Sequence, residues 1–243
     1  MKRATRIFLK TLQENKQGLR KGIYSICSAH PYVIEAGMRQ AAKDNSLLLI
    51  ESTSNQVNQF GGYTGMKPED FVDYVGQIAV RIDFPVTGIL FGGDHLGPNV
   101  WQSLPSEQAM LRAKEIVSAY VKAGYIKIHL DASMRCADDP SDNLNSLPDE
   151  VAAERTAELC EAAEKAWAEN SGGTEKPLYV IGTEVPVPGG AKVTESELEA
   201  TRVENVKRTL DLTRQAFAGR ELNEAWNRVI GIVVQPGVEF GDD

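Results

Sequence analysis

Asp94 and His95 stand side by side in Gly92-Gly93-Asp94-His95-Leu96-Gly97-Pro98-Asn99, directly after the apolar run Phe84 to Phe91. An acid and a histidine at the C-terminal end of a parallel strand place a carboxylate and an imidazole at the mouth of an α/β active site. Such a pair supports proton transfer by Asp94 beside a divalent ion held by His95, because imidazole is a common metal ligand and a bound ion polarises a carbonyl. The competing reading is structural, with Asp94 closing a turn and His95 bonded to backbone.

Two more apolar runs end in polar groups. Ile126 to Asp131 carries His129 and Asp131 two residues apart, so on a strand they share one face, which Ser133 continues. These three are candidate substrate contacts or, alternatively, satisfied interior groups. Leu178 to Gly182 leads to Glu184 and then to Gly189 and Gly190. Glu184 is a candidate metal ligand, and the two glycines would let a substrate approach the backbone closely. Asn55 and Gln59, in an amide-rich stretch before Phe60-Gly61-Gly62, could hydrogen-bond to sugar hydroxyls or simply order a loop. His30, before Pro31, marks a helix start.

These residues need elements to hold them. Strand-like runs lie at Gly22–Ser28, Ser46–Glu51, Pro85–Phe91, Tyr125–Leu130, Pro177–Gly182 and Val229–Val234. Helix-like patterns fall between them at His30–Lys43, Pro68–Arg81, Pro105–Ala123, Pro148–Glu169 and Glu195–Ala218, the last headed by a Thr194/Glu197 capping box. Asp138 to Leu147 reads as a loop. Strict alternation requires a parallel sheet and favours a (β/α)8 TIM barrel over a doubly wound sheet. Eight strands close a barrel, so six leave open edges. Either the fold is not a barrel or residues 1–243 are a single barrel domain covering about the first six strands of a longer chain, and the second reading is favoured.

Composition narrows the function classes. The 243 residues carry a net charge of −8 with Lys and Arg scattered, which disfavours nucleic acid and anionic membrane as partners but leaves room for a sugar phosphate. Cys27, Cys136 and Cys160 have no CxxC spacing and read as reduced thiols, with Cys27 packed in a strand. Met1 to Lys16 has helical spacing and no signal-peptide core, and nothing approaches the ~20 apolar residues of a membrane span, so the expectation is a cytoplasmic protein. There is no G-x-x-x-x-G-K-[ST] loop.

The segments Ile50 to Gln59, Gly92 to Asn99, His129 to Met134 and Gly182 to Gly190 together resemble the Z-type subunits of tagatose-1,6-bisphosphate aldolase, and the similarity runs essentially end to end. The resemblance implies a barrel of the class II aldolase type. It also implies a subunit inactive alone that supports the stability and activity of a catalytic Y-type subunit in galactitol and N-acetylgalactosamine (tagatose 6-phosphate) catabolism. In class II aldolases the Asp of an Asp-His pair after the third strand is catalytic and the His binds zinc. Asp94 and His95 resemble that pair, and Glu184, Gly189 and Gly190 resemble the strand-five glutamate and its glycines. The match is partial: Ala191 and Lys192 stand where the aldolase loop has acidic residues, and the other histidine ligands belong to later strands.

The expectation is therefore a non-catalytic aldolase subunit needing no cofactor for a purely stabilising role, with a Y-type subunit or a second copy of itself as partner. The alternative is an aldolase or sugar epimerase in its own right, using zinc or another divalent metal on His95 and Glu184. A tagatose-6-phosphate kinase ranks third.

Overall fold

The computed structural model describes residues 2–140, 147–170, 175–182 and 200–235. Six parallel strands lie side by side in chain order: β1 (Ser25–Cys27), β2 (Leu48–Thr53), β3 (Ile89–Leu96), β4 (Lys127–Leu130), β5 (Leu178–Ile181) and β6 (Val229–Ile232). Around them run α1 (Arg3–Lys16), α2 (Pro31–Asp44), α3 (Pro68–Arg81), α4 (Ser106–Lys122), α5 (Asp149–Glu169), α6 (Val203–Gly219) and α7 (Asn223–Trp226). Parallel strands adjacent in sequence and in space, with a helix after each of β1 to β5, are the winding of a partial (β/α) barrel. Among the described residues no helix is long and apolar enough to cross a membrane.

The two sheet faces are sealed differently. Toward the helices, Ile50, Ile128 and Tyr179 pack with Ile34, Phe71, Val75, Ile116 and Val117 in one core. On the other face Leu49, Leu90 and Leu178 meet Ala4 and Phe8 of α1, so the N-terminal helix forms an apolar floor. Each such side chain removed from water contributes about 1.5–3 kcal/mol. The Glu175 carboxylate ties α1 to the approach to β5, accepting from Lys2 N and Thr5 Oγ1, each at 2.5 Å.

Helix boundaries follow from local chemistry. His30 caps α2 through Nδ1, which accepts from Tyr32 N at 3.3 Å, with Pro31 in the first turn. Asp70 folds back to accept from Lys67 N at 2.9 Å and closes the start of α3. The last long helix begins at Val203, later than the predicted Glu195. Thr201 is held extended by Gln235, its N donating to Gln235 O and its Oγ1 accepting from Gln235 N, each at 2.7 Å. Residues 195–199, with the Thr194/Glu197 box, lie outside the described residues.

Two other expectations shift, while the described part of the 138–147 stretch is a loop as expected. The third strand runs to Leu96 instead of stopping at Phe91, so Asp94 and His95 lie within it. Cys27 does occupy β1 but is exposed, not packed. The described part of the 138–147 stretch is anchored: Asp138 Oδ1 accepts from Ser106 N at 2.6 Å, and Asp139 receives both arms of Arg155 at 2.8 and 2.6 Å.

Candidate functional site

Above the apolar floor the inner face turns polar. Glu51, Gly92 and Lys127 are register partners on β2, β3 and β4, so they share a face. Gly92 has no side chain, and the neighbours fill its place: Lys127 Nζ lies 2.5 Å from Glu51 Oε1 and 3.1 Å from Asp94 Oδ1. A Cβ on Gly92 would meet Glu51 Oε1 at 2.6 Å. Glu51 Oε1 accepts no directed hydrogen bond, and the ammonium serves as its counter-charge.

A bulge supplies the rest. Gly93 pairs with Ile128 and Leu96 with Leu130, three steps on β3 against two on β4, and the register slips between them. Inside the bulge His95 takes a left-handed backbone, φ +49°, at a cost of about 1–3 kcal/mol. Local bonds hold it there. His95 O accepts from Ser54 Oγ at 3.0 Å, and His95 Nδ1 meets Asp131 Oδ2 at 2.8 Å. Asp131 is fully buried, and its other oxygen accepts from Ser133 N at 3.1 Å and Ser133 Oγ at 2.5 Å. A Cβ on Gly97 would lie 1.6 Å from Asp131 O, so only glycine fits there.

His129 completes the cluster. Its Nδ1 lies 3.0 Å from Asp94 Oδ1 and its Nε2 is 3.4 Å from Gly182 O. His95 N donates to the same Nδ1 at 3.3 Å. The rings of His95 and His129 sit 5.0 Å apart, and His95 Nε2 is 3.7 Å from Asp94 Oδ2.

These contacts set the charges. Burial pushes the Asp94 carboxyl up, but the His129 hydrogen bond and the Lys127 charge outweigh it and hold the group far below the carboxylate range. Asp131 follows the same balance: burial raises it, while the His95 bond, the nearby His129 and Ser133 bring it below its ordinary value. Burial lowers Lys127, and the charges of Glu51 and Asp94 reverse that and raise it. The resting cluster thus holds ionised Asp94 and Asp131 with a protonated Lys127.

Of the residues singled out from sequence, Asp94, His95, His129, Asp131 and Ser133 come together. Gln59 does not join them: Nε2 donates to Arg112 O on α4 at 3.1 Å, beside a Phe60 ring on which the Arg112 guanidinium sits at 4.8 Å. Asn55 is exposed on the same loop, whose other amides are spent on backbone. Gln56 Oε1 accepts from Thr53 N at 2.8 Å, and Asn58 Oδ1 accepts from Phe60 N at 2.9 Å. Glu184, Gly189 and Gly190 lie outside the described residues. Lys127 and Glu51 were missed, although Lys127 alternates with His129 and Asp131 in Ile126-Lys127-Ile128-His129-Leu130-Asp131. A charge in an apolar strand, in phase with two polar neighbours, was the available signal.

Residues 8–243 match a family described as D-tagatose-1,6-bisphosphate aldolase subunit GatZ/KbaZ-like. The chain belongs to this family. A similar solved structure is that of a probable tagatose 6 phosphate kinase from Sinorhizobium meliloti 1021, 48% identical, with a TM-score of 0.78 over 92% of this chain. The match spans 51% of that protein, about half its length. GatZ/KbaZ-like membership accounts for the resemblance carried by the segments around Glu51, Asp94 and His129.

Class II aldolase chemistry implies a divalent metal. Asp94, His95 and His129 offer suitable donor types, with ligand atoms all within 4.8 Å of one another. Their charge environment does not suit an ion. Asp94 Oδ1 is already shared by the Lys127 ammonium and His129, and a cation placed on it would face that ammonium. The set as built does not fit a divalent ion.

Proposed function

We propose that the chain is a supporting, non-catalytic subunit of a cytoplasmic tagatose-1,6-bisphosphate aldolase, acting by stabilising a catalytic class II partner subunit in tagatose 6-phosphate catabolism. The reading rests on the state of Asp94. A general base works best with a pKa near the operating pH, and a carboxylate clamped by an ammonium at 3.1 Å and an imidazole at 3.0 Å has its basicity suppressed. What would be the proton-transfer group is instead the centre of a structural ion network. A kinase reading gains no support from the sequence, which lacks a phosphate-binding loop of the Walker type. Residues 1–243 are assigned to one barrel domain in this proposal.

Cleavage of tagatose 1,6-bisphosphate is the test. The chain alone should show none, and a Y-type subunit heated with the chain should retain activity longer than one heated without it, since a ligand of the native state shifts the folding equilibrium toward it. Superimposable inactivation curves would sink the supporting role. Cleavage by the chain alone, abolished by Asp94→Asn, would instead establish the enzyme reading that the Asp94, His95 and His129 grouping favours.

A further inference from the structure

We propose that Lys127 is the built-in cation of the inner-face cluster, holding the place of a divalent ion, so that Asp94, His95 and His129 take up such an ion only once its ammonium is removed. The inference rests on the non-catalytic reading and names what keeps the site in that state. Three carboxylates, Glu51, Asp94 and Asp131, converge with two imidazoles and one ammonium, and buried carboxylates require counter-charge. Lys127 supplies it to two of them at once because the bare Gly92 lets the Glu51 side chain lie over β3, within reach of the ammonium from β4.

The remaining arrangement is that of a site ready for an ion. Asp131 fixes the His95 ring through Nδ1 at 2.8 Å and leaves Nε2 turned to Asp94 at 3.7 Å. A carboxylate behind a histidine is the usual means of orienting a metal ligand. His129 stands on the other side of Asp94 at 3.0 Å. Two imidazoles and a carboxylate form a donor set for Zn2+ or Co2+. The ammonium both occupies Asp94 Oδ1 and repels a second cation, and neutralising it removes both obstacles.

Co2+ titration followed by visible absorption, with metal content after dialysis, reads this directly. Wild type and Lys127→Arg should take up no stoichiometric Co2+ at concentrations where Lys127→Met binds one ion per chain, an affinity gain of at least about tenfold. The bound ion should be lost on adding His95→Ala. Lys127→Met/Glu51→Gln removes one charge of each sign and carries the test should the single variant misfold. Uptake by wild type as tight as by the variants, or none by a folded Lys127→Met or double variant, would overturn the proposal. Aldolase assays of the chain alone separate the two readings, since activity there sinks the supporting role while the Lys127 assignment stands or falls on Co2+ uptake.

Discussion

Lys127 and Glu51 meet at 2.5 Å although a whole strand, β3, separates theirs. Neighbouring strands run about 4.8 Å apart, so the pair spans roughly twice that distance by leaning over Gly92. The polar layer therefore depends on the lack of a side chain as much as on the charges, and one added methyl tests it.

Gly92→Ala should destabilise the protein by about 2–4 kcal/mol, combining overpacking with displacement of a buried ion pair. That corresponds to a fall in Tm of roughly 5–10 °C for a chain of this size. Gly76→Ala is the control. Gly76 lies inside α3, and a Cβ there meets nothing within 4 Å, so helix propensity alone should add roughly 0.5–1 kcal/mol. Urea unfolding of the two variants should move in opposite directions, and equal midpoints would show that Gly92 is not a required gap.

Gly97→Ala should be more severe. The obstacle at 1.6 Å is the backbone carbonyl of Asp131, which cannot swing aside as a side chain can, and the strain passes straight to the residue that holds His95. We expect a loss above about 4 kcal/mol, in the range of the largest single-residue effects. Recovery of soluble, folded protein with an unchanged urea midpoint would contradict the close approach of β3 to the end of β4.

The strand and helix alternation was legible because each buried strand is a short apolar run between helix starts marked by proline, as at Pro31 and Pro68. Asp94, His95, His129 and Asp131 were legible because polar groups ending apolar strands are conspicuous. Gly92 and Gly93 hid the true length of β3, since glycine weakens a strand pattern whose neighbours Glu51, Leu96 and Tyr120 fill the space. The bulge at His95 has no local signal either, because its left-handed backbone is stabilised by Ser54 and Asp131, distant in sequence. Gln59 was open to either sugar binding or loop ordering, and its bond to the Arg112 carbonyl of α4 is a contact only tertiary packing makes.

Acid should loosen the β4–α5 connection through Asp139. The bidentate hydrogen bond from Arg155 lowers its carboxyl, burial works against that, and a further bond from Cys136 N at 2.6 Å lowers it again. The unfolded carboxyl titrates near ~3.9. A folded value below the unfolded one means that the unfolded chain binds the proton more readily. The stabilisation is therefore complete above about pH 4 and is lost as pH falls through the folded value. Asp139→Asn should cost roughly 3 kcal/mol between pH 6 and 8, since it strips one partner from a pair whose Arg155 side chain is only 9% exposed. The gap between wild-type and variant unfolding free energies should hold constant down to about pH 4.5 and then narrow toward pH 2.5. A gap that stays flat to pH 2.5, or widens there, would mean that Asp139 does not carry its charge in the folded pair.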